Sequence, residues 1–318
     1  MAAFEVATDE HLIRSNLWSK QIKQLLMDDL FAMRFVRVIE DFPDGTTINI
    51  PSIGEAETSD FAEGQRIKYN KLDTGNFQFT FDQYKYSANS ISEKFKRDSF
   101  YAQEVISAFL PRQHRALMEA VETRILSRGN AGQTASDLNT INGAAHRWVA
   151  KGTNETLSLK DFQLADYALG KANVPMVNKV AIVDRSVAYA IQNISGATGL
   201  LSPATEWQKV VRDGMVTGMK FAFNLYGFDV YISNYLPSGI AETIDSVSTT
   251  VGVANMFFAD VGGDVGPFIG GFRQMPTVYS EFNKDTQETE YLTIAEYGFK
   301  LYRPENMVIV LSDTDQVT

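Results

Sequence analysis

The sequence predicts an α+β protein, on three observations. Phe77, Phe79 and Phe81 alternate with Gln78, Thr80 and Asp82, the period-two mark of a strand with one apolar face. Residues 98–128 place Val105, Ile106, Phe109, Leu110, Leu117, Val121 and Ile125 at helical spacing. From residue 151 onward, short helices and strands mix without a clean βαβαβ repeat, and the last third is rich in strands.

Taken in order, residues 15–39 read as an amphipathic helix. Trp18, Ile22, Leu25, Leu26, Leu30 and Met33 form one stripe, and Lys20, Lys23, Gln24 and Asp28 lie opposite. The stripe packs either on its own domain or on a neighbouring chain; spacing alone does not choose. Pro43-Asp44-Gly45 is a turn, and 46–53 is a strand whose Pro51 marks an end or an edge. Residues 54–65 are polar, acidic and bounded by glycine, which predicts a mobile tip. The chain returns through 61–90. Its first half is wet, with Gln65, Arg66, Lys68, Asn70 and Lys71 leaving Ile67, Tyr69 and Leu72 to bury. Asp73-Thr74-Gly75-Asn76 reads as a turn, and Phe77 to Tyr86 is apolar enough to join a sheet beneath the long helix. The wet half is too thin to be stable alone.

The helix over 98–128 takes Asp98 or Ser99 as its N-cap and Gly129 as its end, and is roughly 45 Å long at 1.5 Å per residue. Pro111 should kink or split it. Residues 129–148 are rich in Gly, Asn and Ser and read as irregular chain. Ser158 caps a short helix, 178–184 is a buried strand, 185–194 and 205–218 are short helices, and 220–237 holds two strands turning at Tyr226-Gly227. Further strands are expected at 256–261, 277–282, 289–304 and 306–312.

The chain has 318 residues, enough for one large or two medium domains, and its net charge is −10. That balance argues against general nucleic-acid binding, which needs a basic surface, but not against enclosing nucleic acid without gripping it. The absence of Cys removes disulfides, thiolate metal sites and a Cys nucleophile. No run approaches the eighteen or so apolar residues of a membrane span, and the N-terminus carries no secretory signal pattern.

His11, His114 and His146 lie far apart, each without ligand-spaced partners, and are expected to be solvated or structural. The metalloprotease, nucleophile-elbow, P-loop and dinucleotide motifs are missing. The glycine-rich stretch 261–271 has no Lys, Ser or Thr to meet a phosphate and reads as tight turns at close backbone approach. Residues 283–290 read as a surface turn, and the basic cluster Lys94, Lys96, Arg97 as a solvated helix start. No catalytic, cofactor-binding or metal-ligating residue is identified, and no cofactor is expected.

The order of elements resembles the major capsid protein of tailed double-stranded-DNA bacteriophages. Residues 297–311, "YGFKLYRPENMVIVL", look like the family's C-terminal strand with its Arg-Pro turn and final apolar strand. Residues 227–237, "GFDVYISNYLP", are similar to a strand and turn of its axial domain, and 178–191, "NKVAIVDRSVAYAI", to its strand–helix step. The resemblance implies an N-terminal arm at 1–43, an extended two-stranded loop and peripheral domain at 44–150 with spine helix 98–128, and an axial domain at 151–270. It further implies peripheral strands at 271–305 and a tail, 306–318, returning to the axial domain. The implied function is structural, not enzymatic: self-assembly into an icosahedral head enclosing double-stranded DNA. Copies would meet as pentamers and hexamers, with a scaffolding protein, a portal and a possible decoration protein as partners and no membrane. Assembly in the host cytoplasm and residence in the virion follow. Trp18, Ile22 and Leu26 of the arm, and Phe61, Arg66, Lys68, Tyr69 and Lys71 of the loop, are the expected inter-subunit contacts. No long N-terminal scaffolding segment is expected. Covalent Lys–Asn crosslinking is not expected either: Lys68 and Lys71 could donate, but the acceptor region reads Gln287-Glu288-Thr289-Glu290, with Asn283 the nearest amide. The alternatives are a related compartment shell of the encapsulin kind and a soluble enzyme with an unrecognised site.

Overall fold

The computed structural model describes residues 30–39, 47–54, 74–99, 102–133, 139–187, 221–260 and 266–313, with single positions 58, 60, 63, 64 and 66. The helix expected over 205–218, most of those over 15–39 and 185–194, and most of the wet half of the loop lie outside the described residues.

After one turn of 3-10 helix at Ala32–Phe35 comes β1 (Val36–Val38). β2 (Thr47–Ile53) and β3 (Thr74–Thr80) pair antiparallel as a two-stranded ribbon. β4 (Gln83–Ser92) leads into α1 (Glu93–Asp98) and the long α2 (Ala102–Gly132). A small hairpin of β5 (Thr140–Ile141) and β6 (Ala144–Ala145) precedes β7 (Arg147–Val149) and α3 (Leu159–Lys171). Then follow β8 (Lys179–Val183), β9 (Phe221–Leu225), β10 (Phe228–Ile232), β11 (Ile240–Ile244) and β12 (Val247–Ala259). β13 (Phe268–Asn283), β14 (Glu288–Leu301) and β15 (Val308–Asp313) complete the described chain.

Two sheets dominate. One has the order β1-β13-β14-β4, and the other the order β7-β15-β12-β8-β10-β9 with β11 paired to β12. The strands at the centre of the second sheet are apolar on both sides, as a sheet buried on both faces requires. Val180, Ile182, Met256, Phe258, Ile309 and Leu311 belong to the core shared with α2. Their neighbours Ala181, Val183, Phe257, Ala259, Val308 and Val310 point into the core beneath α3. There Phe162 meets Phe257 edge to face at 5.1 Å. This is why 178–184 and 306–312 carry continuous apolar runs rather than alternation. α3 starts with a capping box, in which Asp161 also accepts from Trp148 Nε1 at 3.0 Å.

Several expectations need correction. The helix does not begin at Asp98 or Ser99: the Ser92 hydroxyl accepts from the Phe95 N–H and starts a separate short helix, α1. Gly129 does not end α2. A Cβ there would lie 2.9 Å from Met256 Sδ, so this glycine serves close packing of helix on sheet. Nor does Pro111 split the helix. Contacts on either side of it, Phe109 on Tyr291 at 5.4 Å and Gln113 Oε1 accepting from Thr293 at 3.0 Å, hold α2 on its sheet. Thr74-Gly75-Asn76 is strand, paired with Ile53, Ser52 and Pro51, and not a turn. Residues 140–149 are ordered rather than irregular, because Asn142-Gly143, both at positive φ, turn a hairpin. Gly270 and Gly271 sit inside β13 rather than in a turn, and a Cβ on Gly270 would lie 2.2 Å from the Phe299 ring, the close approach expected of this stretch; residues 261–265 lie outside the described residues.

A polar clasp joins α2 to the second sheet. Arg147 of β7 meets Glu242 of β11 through Nη2 at 2.6 Å and Nε at 3.1 Å. Its Nη1 donates to Asn130 Oδ1 at 2.8 Å and to the Gln133 carbonyl at 3.2 Å, at the C-terminal end of α2. A cation at this end of a helix satisfies orphan carbonyls and opposes the negative pole.

Candidate assembly surfaces

The ribbon of β2 and β3 leaves the body at a root built from several anchors. Phe79 and Phe81 are buried with Ile269, and Ile48, Ile50, Phe77 and Tyr302 pack around them. A Cβ on Gly298 would sit 2.7 Å from the Thr80 carbonyl and 3.0 Å from Phe81 Cα, so β14 needs glycine where the ribbon crosses it. Asp82, in the bend between β3 and β4, is paired with both Arg124 and Arg128 of α2, one helical turn apart. Lys300 Nζ donates to the Gln78 carbonyl at 2.8 Å and lies 4.7 Å over the Phe77 ring. Phe77 meets Tyr302 edge to face at 5.1 Å. Further out, Asn49, Pro51 and Ser52 of β2 and Thr74, Gly75 and Asn76 of β3 are exposed. Beyond its root the ribbon is a strand pair with little of its own to lean on.

The second surface is the outer face of the four-stranded sheet. On β14, Tyr291, Thr293, Ala295 and Tyr297 point toward α2, and burial pushes the Tyr297 hydroxyl above its ordinary pKa. The alternate residues, Glu290, Leu292, Ile294 and Glu296, point away. Register places Tyr84 beside Glu296, Tyr86 beside Ile294, and Ala88 and Tyr279 on either side of Leu292. Tyr84, Tyr86 and Tyr279 are 61%, 68% and 50% exposed. A sheet covered on one face ordinarily shows a polar second face, whereas this one shows tyrosines and aliphatics. At its far end Glu281 and Glu290 stand directly opposite one another. Near α1, the Glu93 carboxylate is held below its ordinary pKa by its hydrogen bond to Lys96, which also meets Thr289.

Of the expected contact residues, Arg66 is described and exposed. Trp18, Ile22, Leu26, Phe61, Lys68, Tyr69 and Lys71 lie outside the described residues. The tyrosine face was missed from sequence, although Tyr84 and Tyr86 alternate with polar neighbours in the way that marks one face of a strand. Of the histidines, His114 is exposed and His146 is buried, and the 283–287 turn is at the surface. Among the described residues no group of three or more His, Cys, Asp or Glu could hold a metal, and no helix is long and apolar enough to cross a membrane.

Comparison with known proteins matches the chain to a family. A family model described as phage capsid protein matches residues 79–310. No curated protein matches. Solved structures do. One from Mycobacterium phage Che8 is 17% identical with a TM-score of 0.65, covering 94% of this chain and 97% of that one. The capsid of cyanophage P-SCSP1u is 14% identical, with a TM-score of 0.64 and coverage of 95% and 93%. The capsid of Ralstonia phage GP4 is 9% identical, with a TM-score of 0.65 and all of both chains covered. At such identities the likeness speaks for the fold, and the family model, spanning well over half the sequence, speaks for descent. The chain therefore belongs to the phage capsid protein family and is a structural major capsid protein with the fold of tailed-phage heads.

Proposed function

We propose that copies of this chain assemble, without covalent crosslinks, into the icosahedral head that encloses the phage's double-stranded DNA. The match to phage capsid proteins over residues 79–310 carries this reading. The ribbon and the tyrosine face support it, because each is underpacked within one chain. A shell subunit meets several neighbours, and standard interfaces bury on the order of 1,600 Å². Closed symmetry lets one such surface serve every copy. The arm (1–43) and the extended loop within 44–150 make the inter-subunit contacts, through Trp18, Ile22, Leu26, Phe61, Arg66, Lys68, Tyr69 and Lys71. Residues 151–270 act as the axial domain, 271–305 return to the peripheral domain, and 306–318 return to the axial one. Assembly takes place in the host cytoplasm with a scaffolding protein, and the shell receives a portal and a decoration protein. The net charge of −10 suits a wall that confines DNA without trapping it.

The test is electron microscopy of the expressed chain, alone and with its phage's scaffolding protein. Closed shells are expected. A soluble species near 35.5 kDa under every condition would refute the proposal. Particles that hold a cargo enzyme in place of nucleic acid would move it to a compartment shell.

A further inference from the structure

We infer that Asn142 is a site of spontaneous deamidation and that its conversion uncaps the C-terminal end of α3. Asn142-Gly143 is the one Asn-Gly step in the sequence. It forms the two-residue turn between β5 and β6, with φ of 50° and 81°. Both residues are exposed. A Cβ on Gly143 would meet no atom within 4 Å, so nothing stands over the main chain here and water reaches it.

The side-chain amide of Asn142 completes a helix cap. At the end of α3, Asn173 sits at φ 58° and its N–H donates to the Gly170 carbonyl at 3.2 Å. The Val174 N–H donates to the Leu169 carbonyl at 3.2 Å, and the Ala172 N–H to the Ala168 carbonyl at 3.0 Å. The Lys171 carbonyl would take the N–H four residues on, but that residue is Pro175, which has none. Asn142 Nδ2 fills the place, donating to the Lys171 carbonyl at 2.9 Å. The same hairpin carries Ala144 into the core beneath α3, where it is buried with Ala168 and Leu169.

Asparagine is among the thermolabile residues, and a following glycine leaves the attacking nitrogen uncrowded. The Gly143 main-chain nitrogen, on losing its proton, attacks Asn142 Cγ. The N–Cγ bond forms, the Cγ–Nδ2 bond breaks, and Nδ2 takes up a proton and leaves as ammonia. Water then adds to one carbonyl of the succinimide ring, and one ring C–N bond opens. Opening at Cγ gives aspartate. Opening at the main-chain carbonyl gives isoaspartate, with the main chain now running through Cγ. Nothing is oxidised or reduced. The contact with Lys171 must break for the amide to leave, so conversion is slower in the folded chain than in the unfolded one. Either product puts a carboxylate where the amide donated. It donates nothing, and it faces a carbonyl at the negative pole of the helix. Isoaspartate also adds a main-chain atom to the two-residue turn, which disturbs the pairing of Ile141 with Ala144.

The test is incubation of the full-length chain under mildly alkaline conditions, then tryptic digestion and fragmentation mass spectrometry of the peptide 129–147. That peptide also holds Asn130 and Asn139, followed by Ala and Thr, as internal controls. Conversion at Asn142 is expected to be at least ten-fold faster than at either, with isoaspartate among the products. Asn142→Gln should abolish the early conversion. At neutral pH the amides of Asn173 and Val174 should exchange hydrogen at least ten-fold faster in the converted chain than in the fresh one, and Asn142→Asp should reproduce that rise. No conversion, equal conversion at Asn130 or Asn139, or aspartate as the sole product would overturn the site. Unchanged exchange at both amides in Asn142→Asp would overturn the uncapping. Neither failure touches the shell reading, which concerns particles rather than this turn.

Discussion

Replacing Arg147 by methionine should be among the most damaging single changes in the described fold. The guanidinium side chain is 4% exposed and Glu242 is 13% exposed. Removing it strands three groups at once: the Glu242 carboxylate, the Asn130 side-chain oxygen and the Gln133 carbonyl. Breaking one side of a buried pair costs about 3–5 kcal/mol. Replacing both charges by apolar groups removes most of that penalty, because it comes from the abandoned carboxylate more than from the lost attraction. The double variant Arg147→Met with Glu242→Leu should therefore be more stable than Arg147→Met alone by about 2 kcal/mol or more. Urea unfolding of the dispersed subunit measures both, read from the midpoint at unchanged slope. Hydrogen exchange in the last turn of α2 should quicken in Arg147→Met and stay fast in the double variant, since the helix end has lost its cationic cap in each. A cost below about 1 kcal/mol for Arg147→Met, or a double variant no better than the single one, would refute the reasoning.

Other changes test other parts of the structure. His146 is buried, and burial holds its pKa below the ordinary value. The folded chain thus binds this proton less readily than the unfolded chain, so its contribution is full above about pH 6.5 and is lost as pH falls below it. Melting temperatures should drop on acidification through this window, and His146→Gln should flatten that part of the profile. Asn306→Ala strands both the Ala259 N–H and its carbonyl, each bonded to the amide at 2.8 Å. It should cost about 2–4 kcal/mol by denaturant titration. Gly298→Ala forces a Cβ against backbone at the ribbon root, and should lower stability by about 1–3 kcal/mol and reduce the yield of closed particles. Asp82→Asn weakens both arginine contacts, but these are half-exposed, so less than about 1 kcal/mol is expected in the dispersed subunit.

Elements whose physics is local were legible in the sequence. The strand over 178–184, the Ser158 cap and the Tyr226-Gly227 turn follow from nearest neighbours in the chain, and the structure has them. The errors arose where a tertiary partner decides. Gly129 reads as a stop signal, but its missing side chain makes room for Met256, more than a hundred residues away. Thr74-Gly75 reads as a turn because the pairing strand, 47–53, lies across a long insertion. The tyrosine face needed the register of three strands before Tyr84, Tyr86 and Tyr279 could be seen as one surface.

The placement of β15 also bears on how a shell subunit is made. This late segment does not add to an edge. It enters between β7 and β12, and its residues fill both cores. Until 308–313 emerge, β12 lacks one of its neighbours and its apolar side chains stay uncovered. Synthesis through residue 313 must therefore precede closure of the larger sheet, and pairing across such sequence distances is slow. A ribosome-bound fragment would thus carry the β2–β3 ribbon before it had the completed second sheet. The fold thus makes residues 308–313 a condition of a finished body: a fragment that stops short of them leaves both cores open on the β15 side.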